Sequence, residues 1–327
     1  MALVSLFSGC GGMDLGFIRA GFNVVYANDF DKYAVQSYAH NIGNHIVHAD
    51  ISEIDVLDIP QHNILIGGFP CQPFSMMGAQ QGFLDQVRGT LFFDVARIIE
   101  HHNPNVVVLE NVRNLRTHNN GETLATIKQV LENLDYHVDI DVLNSSNFGV
   151  PQTRNRLFIV CIKNDVYAQL QARVGREEVY VFPQGEPINQ EVVNLRTLLE
   201  RNVDSKYYLS HRILPTILAH GTGNYYSRSE IDLPIARPLT ATMAKMHRAN
   251  QDNYVTDPSP LAEEAGRTNI RRLTPRECAR LQGFPDNYEI IVSDTQAYKQ
   301  FGNAVTVNVA EAIANSLVDL MPELIEE

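Results

Sequence analysis

Cys71 sits in Gly67-Gly68-Phe69-Pro70-Cys71-Gln72-Pro73-Phe74-Ser75, directly after the apolar run Ile64-Leu65-Ile66. A free cysteine usually packs in a core, but two prolines and two glycines around this one make a stiff turn. A thiol held on such a turn at the end of a buried strand reads as a nucleophile. No histidine has a positional reason to approach it. A cysteine without a base suits addition to an activated double bond better than peptide hydrolysis, where a leaving amine must also be protonated. Phe7-Ser8-Gly9-Cys10-Gly11-Gly12 is a second candidate, a glycine-rich turn where backbone can approach a ligand at a helix N-terminus. Alone it is a weak signal, since it lacks the full G-x-G-x-x-G spacing. Asp29 strengthens it, because an acidic side chain after the second strand can accept hydrogen bonds from ribose hydroxyls. Asp50 suits either ligand contact or helix capping. Glu110, in Leu109-Glu110-Asn111-Val112, could hold or donate a proton beside a cysteine, or simply begin the next turn. Gln152-Thr153-Arg154-Asn155-Arg156 offers two guanidinium groups at a sheet edge, for ligand contact or for ordinary salt bridges.

These residues need a frame that gathers them, and the first 165 residues supply the pattern of a parallel sheet covered by helices. Leu3–Phe7, Asn23–Tyr26, His45–His48, Ile64–Ile66, Asn105–Leu109 and Leu157–Ile162 read as strands. Met13–Ala20, Thr90–His101 and the amphipathic Glu122–Leu134 read as helices. In a parallel sheet the ligand crevice lies outside the carboxyl ends of the strands, and the glycine turn, Asp29, Cys71 and Glu110 all fall at such ends. Beyond about Asn164 the rhythm is lost until Arg271, so a smaller, loop-rich domain is expected there. Thr274-Pro275-Arg276-Glu277 has the form of a helix start, which makes Glu277 a cap rather than a catalytic acid. Val305, Val309, Ala312, Ile313, Ser316, Leu317 and Leu320 mark one face of a closing helix, with Asn303 as its cap.

The chain of 327 residues has 44% hydrophobic and 20% charged residues, which is ordinary for a globular protein. Cys10, Cys71, Cys161 and Cys278 match no metal-ligand spacing and no disulfide framework, so no metal is expected and a reducing cytoplasm is the simplest compartment. Neither a signal-peptide pattern nor an apolar run of ~18 residues is present, which points to a soluble protein off the membrane. A formal charge of −12 argues against nucleic acid as a partner until its distribution is considered. Lys206, Arg212, Arg228, Arg237, Lys245 and Arg248 face only Glu230 and Asp232 within residues 205–250. Interleaved Tyr207, Tyr208, Tyr225, Tyr226 and His247 tilt this stretch from a solvated face towards a recognition surface.

Taken in order, these motifs closely resemble the cytosine-5 DNA methyltransferases over nearly the whole chain, the middle segment excepted. The glycine turn resembles the S-adenosylmethionine loop, Asn28-Asp29-Phe30-Asp31 the ribose-binding turn, and Gly68-Phe69-Pro70-Cys71-Gln72 the catalytic Pro-Cys motif. Arg88-Gly89-Thr90-Leu91-Phe92-Phe93, Glu110-Asn111-Val112, Gln152–Arg156, Arg271–Arg280 and Gly302-Asn303-Ala304-Val305 follow in the family's order.

The resemblance implies an α/β fold, a Rossmann-like methyltransferase sheet with a smaller, irregular target-recognition domain. The expected division is a catalytic part at 1–185, recognition at 186–268, and a hinge and return at 269–327. It implies that Cys71 adds to C6 of a flipped cytosine, that Glu110 contacts N3 and the exocyclic amine, and that Arg156 and Arg154 face O2. S-adenosylmethionine would be bound by Phe7, Gly9, Gly11, Gly12, Asp29, Phe30, Asp50, Ile51, Pro70, Leu91 and Asn303. Double-stranded DNA would meet Gln72, Ser75, Arg237 and Thr240. The chain departs from the family pattern at Ala241, where a larger aliphatic is usual, and at Asp29, where Glu is commoner. A monomer is expected, paired in function rather than bound to a restriction endonuclease. The closest rival, a tRNA cytosine-5 methyltransferase, carries a Cys-Phe-Thr signature that this chain lacks. A catalytically silent DNA-binding protein is disfavoured by intact Cys71, Glu110 and Arg156, and a nicotinamide dehydrogenase by the incomplete glycine fingerprint.

Overall fold

The computed structural model describes residues 1–70, 90–219, 221–222, 225–226, 230–245 and 247–325. Cys71, Gln72, Ser75 and Arg228 lie outside the described residues. The chain divides into two compact units. The first comprises Met1–Asn144, Asn155–Gly185 and Val309–Glu327, the second Ser145–Arg154 and Glu186–Asn308.

In the first unit, strands alternate with helices: β1 (Ala2–Leu6), α1 (Gly12–Arg19), β2 (Asn23–Asp29), α2 (Lys32–Asn41), β3 (Ile46–His48), β4 (Ile64–Gly67), α3 (Leu91–His102) and β5 (Val106–Val112). After these come α4 (Glu122–Asn133), β6 (Tyr136–Asn144), β7 (Asn155–Lys163) and α5 (Asn164–Val174). The seven strands form one sheet in the order β3-β2-β1-β4-β5-β7-β6. Ile64–Ile66 and Val106–Leu109 are fully buried, so central strands covered on both faces read as unbroken apolar runs. Side chains cap the helices that carry the edge: Asp31 accepts from the Tyr33 and Ala34 amides to start α2, and Thr90 from the Phe93 amide to start α3.

Two expectations are corrected. The sheet is mixed rather than parallel: β7 runs antiparallel to both β5 and β6. A parallel return needs a crossover element packed on the sheet, whereas β6 and β7 are joined by residues 145–154, which belong to the second unit. Asn303 does not cap the last helix. It ends the preceding one, and Ala304 turns extended beyond it.

In the second unit, regular structure is sparse. It has α6 (Leu214–Leu218), the antiparallel pair β8 (Gly221–Thr222) and β9 (Tyr225–Tyr226), β10 (Tyr254–Thr256), α7 (Pro260–Glu264) and β11 (Ile270–Arg272) antiparallel to β10. Then follow α8 (Pro275–Leu281), α9 (Asp294–Asn303) and α10 (Val307–Leu320), which leads back into the first unit. Small apolar clusters form around Leu209, Ile217, Tyr254 and Ile270 and around Val203, Tyr208 and Ala262, the rings of Phe284, Tyr288 and Phe301 pack together, and buried polar locks supplement them. The main lock is Arg271, with no exposed surface, which donates Nε to Asp257 at 2.6 Å and both terminal nitrogens to Glu277 at 2.8 Å. Glu277 also completes a capping box with Thr274, as its place in the sequence predicts.

Candidate active site

The order of the sheet reverses between β1 and β4, where one connection runs to β2 on one side and β4 pairs on the other. That reversal opens a crevice at the carboxyl ends of the strands. The Phe7–Gly12 turn leaves β1 on one side of it, and Gly68, Phe69 and Pro70 leave β4 on the other. Phe7 holds φ of 54°, Gly9 57° and Gly11 88°. Left-handed backbone at a non-glycine residue costs about 1–2 kcal/mol, so the packing around Phe7 must hold it there. A side chain on Gly11 would run into Ile42 and the ring of Tyr38, whereas a Cβ on Gly9 would meet nothing within 4 Å. The loop is therefore packed hard below and open above.

Asp29 shapes this loop. Its Oδ2 accepts the Gly9 amide and its Oδ1 the Asp31 amide, each at 2.8 Å, and the residue is buried. Both oxygens are engaged by loop amides, which fixes the carboxylate at the edge of the turn. Phe30 beside it presents an exposed ring, 69% accessible, while His48 contacts its carbonyl at 2.9 Å. Asp50 is exposed and caps the short helix Ile51–Glu53, accepting from the Ser52 amide and hydroxyl, bonds that hold its carboxyl below the usual range. Ile51 is buried in the sheet's apolar core, Gly12 opens α1, Leu91 opens α3, and Pro70 is exposed.

Glu110 and Arg156 come together because β7 is antiparallel. Register pairs Glu110 with Phe158 and Val112 with Arg156, so the carboxylate at the end of β5 and the guanidinium at the start of β7 are diagonal neighbours on one face. Arg156 Nε lies 2.8 Å from Glu110 Oε1, and both side chains are largely buried. Asn111, between them in sequence, points the other way and donates to the Phe69 carbonyl at 2.8 Å while accepting the Val112 amide. It ties β5 to the backbone two residues before Cys71. Sequence reasoning missed this role, because nothing in the spacing of Asn111 marks its partner.

Arg154 is placed quite differently from Arg156. It is completely buried in the second unit and donates to the carbonyls of Leu239, Gly302 and Ala304 at 2.8–3.1 Å. Gln152 and Gln282, also fully buried, complete the same knot. Gln152 donates to Leu281 and accepts the Leu239 amide, and Gln282 donates to the Phe301 carbonyl. Together Arg154 and Gln282 satisfy carbonyls that the end of α9 leaves without helical partners. A Cβ on Gly302 would collide with the Thr240 and Ala241 backbone, which explains the glycine. Thr240 Oγ1 accepts from Arg248, whose guanidinium also binds Thr242 and Asp252. Arg237 donates to the Glu230 and Asp252 carbonyls. Asn303 is exposed. Within the basic stretch Lys206 pairs with Asp294, and among the described residues Arg212 and Lys245 are exposed cations away from such pairs.

Among the described residues no group of three or more His, Cys, Asp or Glu could hold a metal, and no helix is long and apolar enough to cross a membrane. A mixed sheet with a glycine turn after its first strand and a paired acid and guanidinium at its carboxyl edge is compatible with an α/β methyltransferase, and the relatives of the chain fix that class. The chain belongs to the C-5 cytosine-specific DNA methylase family, whose model matches residues 1–319. It is 40% identical over 327 residues to the Type II methyltransferase M.SsoII of Shigella sonnei, covering 98% of this chain and 80% of that one. It is 37% identical over 323 residues to the Type II methyltransferase M.HhaI of Haemophilus parahaemolyticus, covering 97% and 94%. The crystal structure of the S. pombe Dnmt2 methyltransferase shares the fold, with a TM-score of 0.71 at 22% identity and 98% of each chain covered. The protein is a DNA cytosine-5 methyltransferase.

Proposed function

We propose that this enzyme methylates one cytosine within a specific sequence of duplex DNA, with S-adenosylmethionine as donor and Cys71 as nucleophile. The Glu110–Arg156 pair carries the reading, because it offers a planar base an acidic group and a cation side by side. The first unit's own surfaces suit the cofactor: a Cβ on Gly9 would project into open space, and the exposed Phe30 ring gives an apolar platform. Phe7, Gly9, Gly11, Gly12, Asp29 and Phe30 would hold it, with Asp50, Ile51, Pro70, Leu91 and Asn303 carried over from the family pattern. When bound, S-adenosylmethionine supplies an electrophilic methyl group.

Target C6 is hidden within the base stack, so the cytosine is flipped out at a cost of about a few kcal/mol. The Cys71 thiolate then forms a bond to C6, and the ring's electron pair shifts to C5. Glu110 holds N3 and the exocyclic amine, and Arg156 meets the charge developing at O2. After C5 is methylated its proton leaves to a base, and the Cys71–C6 bond breaks to restore the aromatic ring. Arg154 contributes by holding Leu239 and the end of α9 rather than by touching the base. Gln72, Ser75, Arg237 and Thr240 remain the proposed DNA contacts, and residues 186–268 the recognition region. A cytoplasmic monomer, partnered in function with a restriction endonuclease, fits this reading. Expression in a bacterial host free of cytosine methylation, followed by bisulfite sequencing, should reveal one recurrent methylated motif, and Cys71→Ser should erase it. A genome without 5-methylcytosine would overturn the reading.

A further inference from the structure

Asp14 is a carboxyl with no exposed surface, in the first turn of α1 beneath the glycine loop. Its Oδ2 accepts from the Ser5 hydroxyl at 3.0 Å, and its Oδ1 from the Tyr38 hydroxyl at 2.8 Å. Both links lead on. Ser8 Oγ lies 2.9 Å from Ser5 Oγ and accepts the Asn28 amide, so the serine branch ends in the loop itself, one residue before the Gly9 amide held by Asp29. Tyr38 Oη lies 3.0 Å from His45 Nε2, and its ring would be 3.1 Å from a Cβ on Gly11. One buried acid therefore touches both supports on which the loop rests.

We propose that Asp14 is a positioning residue for the cofactor loop, and that its proton sets the loop's geometry and with it the affinity for S-adenosylmethionine. The proposal rests on the cofactor reading above for the ligand, and on the hydrogen-bond chain for the mechanism. When Asp14 is ionised, Ser5 and Tyr38 both donate to it and His45 Nε2 donates to Tyr38. When it is protonated, its own hydroxyl donates to Tyr38, the Tyr38 hydroxyl turns to His45 Nε2, and His45 gives up its Nε2 proton and takes one at Nδ1 by exchange with solvent. The chain reverses polarity directly beneath Gly11. Burial raises the Asp14 carboxyl to about 6, and the charge of Asp29 adds in the same direction against the hydrogen bonds from Tyr38 and Ser5. Burial also lowers the His45 imidazole, which favours the neutral ring needed for Nε2 to accept from Tyr38. The ionised form holds both supports by charge-assisted bonds, so the loop is tightest above this midpoint.

The test has two readouts. In the cofactor-free protein, the Gly9 and Gly11 amide NMR shifts should titrate together with a midpoint near 6. By calorimetry, S-adenosylmethionine should bind about fivefold or more weakly at pH 5.2 than at pH 7.5. Asp14→Asn mimics the protonated acid and should abolish both pH steps, leaving affinity at the weak level. Tyr38→Phe keeps the ring under Gly11 but removes a donor to the carboxylate, and should move the midpoint upward. Amide shifts that do not titrate, or that titrate unchanged in Asp14→Asn, would overturn the proposal. Absence of S-adenosylmethionine binding at every pH would overturn the cofactor reading instead, with the amide titration still deciding the role of Asp14.

Discussion

Glu110 and Arg156 derive their value from one another. An ionised acid at a sheet edge drifts among rotamers, but one tied to Arg156 Nε at 2.8 Å is held in place before any substrate arrives. Glu110→Gln keeps the shape while removing the charge and the acidic proton. It should lower the single-turnover methylation rate by about 10²-fold or more, with duplex DNA affinity nearly unchanged. An unchanged rate would remove Glu110 from the chemistry. Asn111 and Asp14 are side chains of another kind, polar and buried, that act on the backbone of the two loops flanking the crevice. Neither stood out from its spacing. A polar residue within an apolar element becomes informative only when its partner is known.

Secondary-structure elements here are positioned by polar knots as much as by apolar packing. α9 ends where Arg154 and Gln282 pull its last carbonyls away from helical geometry, and the Thr240–Ala241 backbone rests directly on Gly302. Replacing Arg154 by Leu strands the Leu239 and Gly302 carbonyls and leaves Ala304 to Gln282, each stranded carbonyl costing about 1–3 kcal/mol. The variant should lose about 3 kcal/mol of stability in urea unfolding, and activity should fall in step with the folded fraction. If activity were lost with stability intact, Arg154 would contact the base instead. Strand β6 shows what a local reading overlooks. Tyr136-His137-Val138-Asp139-Ile140-Asp141-Val142 alternates apolar and polar residues with a period of two, the signature of an edge strand with one wet face, yet it lacks the apolar run that marked the central strands.

Taken as a whole the molecule is acidic, so DNA must be met by a local surface rather than by its overall field. Several cations of the 205–250 stretch are already committed: Lys206 to Asp294, Arg248 to Asp252, and Arg237 to backbone carbonyls. Arg212 and Lys245 are exposed and suited to phosphate contact. Changing either to Ala should reduce the slope of log affinity against log salt by about 1, weakening cognate and unrelated duplexes alike, with turnover at saturating DNA preserved. Unchanged slopes would place the phosphate contacts elsewhere on the surface.

The order of the motifs, the glycine loop, the capping box at Thr274 and the central strands were all readable from the chain. Each depends on residues a few positions apart, where backbone preference, capping and burial period act directly. The tertiary structure decided what depends on strand direction and on partners distant in sequence. Antiparallel β7 brings Arg156 to Glu110, while Arg154, two residues earlier, is turned wholly inward to hold Leu239 and the end of α9. No local rule separates those two arginines. Burial does, because a guanidinium removed from water must satisfy its donors on whatever backbone surrounds it, and that backbone is assembled from residues 239 and 302–304.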